Sequence, residues 1–209
     1  MTSLFLDTSS NYLTISVLEN NKVLKLEHIN LSKTLSKLAL LSIKKLLDSL
    51  NMKPNDIDEI ICVKGPGSFT GIRVGVTIAK TYAYSLNKKL CGVSSLFTMA
   101  TSINDNYIIP IIDARHGHVF SAIYDKNYNV IMNECYISLD DLKEQIKKLD
   151  KSYTFVSNDT FPFEVTKCTP NIDNLFKYLK KEYVNVHSFI PNYLKKTEAE
   201  ENLNKWLKM

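Results

Sequence analysis

The sequence predicts an α/β fold of two lobes in which one order of elements is used twice. Three observations predict it. Short β-branched and aromatic runs bounded by turn residues occur in two groups of three, the first ending at Ile29 and the second spanning Tyr107 to Tyr136. Each group is followed by a helix-like segment and then a further strand. A polar loop at Asn104-Asp105-Asn106 separates the groups, giving an N-terminal lobe of residues 1–103 and a C-terminal lobe of residues 104–209.

The elements follow in order. Ser3 to Leu6 and Leu13 to Leu18 read as strands joined through Asp7-Thr8-Ser9-Ser10-Asn11, and Val23 to Ile29 follows across Asn20-Asn21. Lys33 to Leu50 reads as a helix, Pro54 breaks the pattern, and Ile57 to Val63 is the next strand. A helix to Leu86, a strand at Leu90 to Val93 and a helix at Ser94 to Ser102 complete the first lobe. The second has strands at Tyr107 to Ile112, Val119 to Tyr124 and Val130 to Tyr136, a helix at Leu139 to Leu149 and a strand at Tyr153 to Val156. Helices over Asn171 to Glu182 and Thr197 to Leu207 end the chain, Trp206 anchoring the last to a lobe. That last helix is expected to pack back across the division between the lobes.

Two helices carry more than their own core requires. On the Lys33 helix the apolar positions from Leu35 to Leu50 fill an arc of roughly 200°, against the ~100° of a simple surface helix, so two sides are expected to be covered. The helix before Leu86 opens on Lys64-Gly65-Pro66-Gly67-Ser68-Phe69-Thr70-Gly71-Ile72-Arg73-Val74-Gly75, which holds four of the six glycines. Ser68 or Thr70 is placed to accept from the first amides of that helix. Gly71, Gly75, Ala79 and Ala83 then form a row with almost no side chain, along which another backbone can come close. That backbone belongs either to the same domain or to a second protein.

The turn is neither a P-loop nor a dinucleotide fingerprint, since no Gly-Lys-Ser/Thr ends it and Thr70 stands where the third glycine belongs. Twenty-six basic against 22 acidic residues give a net charge of +4, scattered without a basic stripe. Arg73 and Arg115 are the only arginines, and an arginine kept in a lysine-rich chain points to a need for its planar, multidentate head. Cys62, Cys91, Cys135 and Cys168 show no paired spacing, which with the absence of a signal-like or membrane-length segment points to reduced thiols in the cytoplasm. The four histidines form no His-x-x-x-His pair, so no metal site is expected, and no nucleophile has a recognisable elbow or oriented base, so no catalytic residue is assigned.

The duplicated layout is that of the actin-like ATPase, sugar-kinase and Hsp70 superfamily, with its ribonuclease H-like (ASKHA) lobes. The run from Gly65 to Gly75 resembles the Gly-Pro-Gly-Ser-Phe-Thr-Gly-Ile-Arg-Val-Gly signature of the bacterial TsaB (YeaZ) family. Leu6-Asp7-Thr8-Ser9, Ile112-Asp113-Ala114-Arg115 and Pro191-Asn192-Tyr193-Leu194-Lys195 are similar to its other marks. Leu31-Ser32 replaces the family's His-Ser pair, and Lys195 replaces an arginine.

The resemblance implies a non-catalytic member of the machinery that makes N6-threonylcarbamoyladenosine in tRNA, with no cofactor of its own. Its main partner would be TsaD, with TsaE joining through the complex, tRNA met only within the complex, and a homodimer formed through the same helices. It places the partner interface at Leu35, Leu38, Gly71, Gly75, Ala79 and Ala83, with Gly65, Pro66, Gly67, Ser68, Phe69, Thr70, Arg73, Asp113 and Arg115 as family-motif residues. In the superfamily an acid at Asp7 holds a magnesium ion near phosphates, so Asp7, Thr8 and Ser9 are the remnant of a nucleotide site or, equally, a turn that caps itself. The alternative is a stand-alone ATP-dependent phosphotransferase or hydrolase on the same fold.

Overall fold

The computed structural model describes residues 1–30 and 35–195. Two sheets carry the molecule. The first has the order β3-β2-β1-β4-β5, from β1 (Thr2–Asp7), β2 (Tyr12–Glu19), β3 (Lys22–Asn30), β4 (Glu59–Val63) and β5 (Lys89–Val93). The second has the order β8-β7-β6-β9, from β6 (Tyr107–Asp113), β7 (His118–Asp125), β8 (Val130–Ser138) and β9 (Tyr153–Val156). In each, an antiparallel meander is continued by a parallel strand beside its first member: β4 beside β1, with Leu4 opposite Ile60, and β9 beside β6, with Ile108 opposite Thr154. The parallel partner requires a crossover, which is why a helix precedes it in both halves.

Alternation along β1 sends Leu4 and Leu6 to one face and Phe5 to the other. Leu4 and Leu6 meet α1 (Leu35–Ser49) and α2 (Phe69–Ser85) through Ala39, Ile43, Leu46, Ile72, Val76, Ala79 and Ala83. Phe5 meets Leu175 and Phe176 of α5 (Ile172–Tyr178), with Phe5 and Phe176 edge to face at 6.3 Å. The second sheet is covered by α3 (Ser95–Ala100) on one side and by α4 (Leu139–Ile146) on the other. Phe97 of α3 packs against the cores on both sides of the lobe division.

Two expectations change. The helix expected over Asn171 to Glu182 ends at Tyr178, because the chain then becomes extended and Tyr183 pairs with Cys91 on the free edge of β5. Parts of the segment after residue 171, expected in the second lobe, pack on the first sheet: α5 covers one of its faces, and Phe189 is buried with the α1–α2 core. The Leu31-Ser32 helix start and the Thr197 to Leu207 helix with Trp206 lie outside the described residues.

Candidate functional site at the lobe junction and the outer helix face

The Gly65 to Gly75 stretch is the point where three separated segments meet. Ser68 caps α2, its hydroxyl accepting from Gly71 N at 3.2 Å, while Thr70 is exposed within the first turn. Ser68 N donates to Ser9 O at 2.7 Å, and Thr8 Oγ1 donates to Gly71 O at 2.8 Å, so the turn after β1 is tied to the start of α2. From the other side Asn192 N donates to Lys64 O at 2.7 Å, and a Cβ at Gly65, whose φ is +108°, would come within 3.0 Å of Asn192 O. Ser95 of α3 closes the knot, its amide donating to Gly65 O and its hydroxyl to Pro66 O.

This arrangement corrects the expected role of the small-residue row. Gly71, Gly75, Ala79 and Ala83 are buried within the lobe. A Cβ on Gly71 would lie 2.1 Å from Thr8 O, and one on Gly75 would lie 2.3 Å from Thr8 Oγ1 and 3.7 Å from Cys62 Sγ. The backbone that comes close at Gly71 is the chain's own β1–β2 turn, and at Gly75 the neighbours are the side chains of Thr8 and Cys62. Ile72 and Val76 share that core.

What remains open is the outer side of α1 and its groove with α2. Leu38, Leu40 and Leu41 are 37%, 60% and 54% exposed, while Ala39, Ile43, Leu46 and Leu47 are buried. Leu35 opens the helix. Leu40, Ile43, Leu47 and Met52 on one side and Ile78, Tyr82 and Leu86 on the other line a groove of about 430 Å³. The wide apolar arc of α1 thus has one covered side and one uncovered side.

Between the sheets a cleft of about 540 Å³ is lined by Asp7, Ser9, Ser68, Phe69 and Thr70 from the first lobe and by Asp113, Arg115, Phe120, Ser157 and Asp159 from the second. Asp7 Oδ1 accepts from Ser9 N at 2.8 Å, and Asp113 Oδ1 accepts from Arg115 N at 2.9 Å. The two halves therefore end their first strands on the same aspartate turn, a correspondence hidden in the sequence because the residues around it differ. Burial pushes the Asp7 carboxyl up, against the hydrogen bonds from Ser9 that pull it down. Cys168 also lines the cleft, and burial pushes its thiol up to about 11, so it is protonated at neutral pH. Among the described residues no three His, Cys, Asp or Glu side chains converge to hold a metal, and no helix is long and apolar enough to cross a membrane.

Arg115 lines this cleft, and Arg73 borders it through Phe69. The Arg73 guanidinium carbon stands 3.8 Å from the Phe69 ring centroid, and its Nε donates to Tyr193 Oη at 2.9 Å. Sequence reasoning missed the groups around this pair. His118 stacks on Tyr136 at 4.7 Å, and Lys195 Nζ stands 5.0 Å from the same tyrosine ring; on the first lobe Tyr12 stacks on His28 at 4.4 Å. Alternation places these rings on the cleft-facing side of their strands, but only cross-strand register brings the partners together. Nothing in the sequence marks the buried Glu59 either, which accepts from Lys181 Nζ and Tyr183 Oη at 2.6 Å each and from the Ser3 hydroxyl.

Comparison with known proteins agrees with this geometry. Residues 30–171 match the family model described as TsaD: tRNA N6-adenosine threonylcarbamoyltransferase. The tRNA threonylcarbamoyladenosine biosynthesis protein TsaB of Bacillus subtilis is 34% identical over 99% of this chain and 98% of its own length. The TsaB protein of Buchnera aphidicola from Schizaphis graminum is 26% identical over 86% of this chain and 93% of its own. The solved structure of YeaZ from Pseudomonas aeruginosa superposes with a TM-score of 0.76 over 92% of this chain and 99% of that one, at 20% identity, which establishes the shared two-lobe fold. With a full-length relative above 30% identity and the glycine turn, first-strand turn and Pro-Asn-Tyr segment joined in one knot, the chain belongs to the TsaB (YeaZ) family.

Proposed function

We infer that this chain is a non-catalytic scaffold that activates TsaD in the formation of N6-threonylcarbamoyladenosine beside the anticodon of tRNA. The observation that carries the reading is the uncovered side of α1, where three leucines stand exposed beside an apolar groove on a helix whose other side is core. Exposed apolar surface of that kind on a helix pair fits a partner that supplies two further helices. The relatives' names place the family in tRNA threonylcarbamoyladenosine biosynthesis, and the matching family model bears the name of the transferase. TsaD is accordingly the partner, a second copy can use the same face, and TsaE and tRNA join through the complex in the cytoplasm. The interface is reassigned from the glycine row to Leu38, Leu40, Leu41 and the α2 residues Ile78 and Tyr82, with Leu35 at the helix start.

The cleft supports the non-catalytic part. Four of its polar side chains are engaged within the chain: Ser68 on the α2 amide, Ser95 on Pro66 O, and Asp7 and Asp113 in their own turns. Asp7, Thr8 and Ser9 thus read as a remnant of the superfamily's nucleotide site, now used for packing. The test is reconstitution with TsaD, TsaE, ATP, threonylcarbamoyl-adenylate and tRNA, with and without this chain. Modified nucleoside is expected only when both TsaD and this chain are present. Equal yields without it, or transfer or ATP hydrolysis by this chain alone, would overturn the reading in favour of a stand-alone ATP-dependent enzyme.

A further inference from the structure

Both arginines of this chain stand beside the cleft, Arg73 in contact with two rings and Arg115 sharing the lining with two. Arg73 lies over Phe69 and is held by Tyr193, and Arg115 lines the cleft together with Phe69 and Phe120. Phe120 continues to Tyr136 at 5.8 Å, and Tyr136 carries Lys195 and His118. Phe69 and Tyr193, 5.5 Å apart, are 46% and 44% exposed. The result is a rim of rings and cations contributed by both lobes. Among the described residues, the ion pairs are Lys44–Asp48, Lys143–Asp140, Lys147–Glu144 and Lys181–Glu59, so no salt bridge to a carboxylate neutralises Arg73, Arg115 or Lys195 there.

We propose that this rim is a contact surface for single-stranded RNA, the loop of a tRNA, with Arg73, Arg115 and Lys195 meeting phosphates and Phe69, Tyr136 and Tyr193 offering ring edges and faces to bases. The inference rests on the reading that this chain works in a tRNA-modifying complex. Unneutralised cations interleaved with exposed rings match a flexible polyanion with stackable bases, because every base has a ring face and every linkage a charge. A guanidinium meets two phosphate oxygens at once and stacks on rings, which an ammonium does not, and this accounts for arginine at both positions in a chain that otherwise uses lysine. The cleft is lined by Asp113 and Asp159, whose carboxylates repel phosphate, so the strand crosses the rim instead of entering. Folding thereby builds a cationic edge from residues scattered between positions 69 and 195.

The experiment is fluorescence anisotropy of a labelled tRNA anticodon-arm hairpin with the full chain, alone and bound to TsaD, over a salt series, with polyglutamate as the competing polyanion. The double variant Arg73→Gln/Arg115→Gln is expected to bind about tenfold more weakly and to flatten the dependence of log K on log salt by about 1.4, at ~0.7 for each single-strand phosphate no longer engaged. Arg115→Gln alone, at an exposed turn, is expected to remove about half of that slope and keeps the test decisive if the double variant melts early. TsaD capture by each variant is measured in parallel and is expected to be unchanged. No hairpin binding above that of polyglutamate, or a salt slope unaltered by both substitutions, overturns the proposal while leaving the scaffold reading intact. Failed TsaD capture with unchanged RNA affinity also overturns it and makes the rim a protein contact. Normal RNA binding with failed reconstitution would instead count against the scaffold reading alone.

Discussion

Gly71 shows how one residue type decides how two elements meet. A methyl group there would stand 2.1 Å from the carbonyl oxygen of Thr8, a backbone atom that cannot turn away, whereas at Gly75 the obstacle is the Thr8 hydroxyl at 2.3 Å, which can rotate if it gives up its bond to Gly71 O. Gly71→Ala is therefore expected to destabilise the fold by ~1–3 kcal/mol through overpacking, and Gly75→Ala by less. Urea unfolding midpoints check the order. Equal stabilities for the two variants and the parent would mean that the turn after β1 is not held against α2. The periodicity of the row is visible in the sequence but its direction is not, since a stripe of small residues fits a partner helix and the chain's own turn equally well. Burial of the whole row within the lobe decides between them.

At the scale of the element, α1 carries more leucine than its core side can take up. Leu41 is 54% exposed and Ala39 is fully buried two residues earlier, so the helix divides its apolar arc between two environments. Leu41→Lys alters a side chain outside the core cluster and is expected to change stability by no more than about 0.5 kcal/mol. It places a hydrated charge on the face assigned to the partner, so association with TsaD and self-association are both expected to fall. Analytical ultracentrifugation of parent and variant with TsaD checks this, and unaltered complex formation by a folded variant would remove α1 from the interface. The arc of α1 was legible in the sequence as two sides, because helical periodicity is local. Which side stays uncovered depended on where β2, β4 and α2 lie.

At the scale of the molecule, the chain returns from the second lobe to lock the first. Lys181 and Tyr183 reach Glu59, which is 0% exposed, across more than one hundred and twenty residues of sequence. Burial alone would push the Glu59 carboxyl up, yet the hydrogen bonds from Lys181, Ser3 and Tyr183 with the Lys181 charge hold it below its ordinary 4.5. A carboxylate depressed in the folded state contributes stability above its unfolded value and loses it as pH falls through the folded one. The fold is therefore expected to weaken on acidification below about pH 4.5, and Lys181→Met, which leaves a buried carboxylate unpaired, is expected to cost ~3 kcal/mol at neutral pH. Urea midpoints at neutral and acid pH check both. A variant as stable as the parent at neutral pH would show that the pair does not hold the returning segment.

The sequence by itself determined the two three-strand meanders, the positions of α1 to α4 and the turn at Gly65 to Gly75, because each is written in local periodicity and turn chemistry. It also carried the family signature, whose Gly67 and Gly71 stand where a Cβ would meet the backbone of the turn after β1. Only the tertiary structure decided that the glycine row faces inward and that α5 ends at Tyr178 so that the chain can reach Glu59. The same holds for Arg73 and Arg115, which the fold places beside one cleft. Those outcomes depend on contacts between residues far apart in the chain, and local pattern contains the residues of such contacts without the pairing between them.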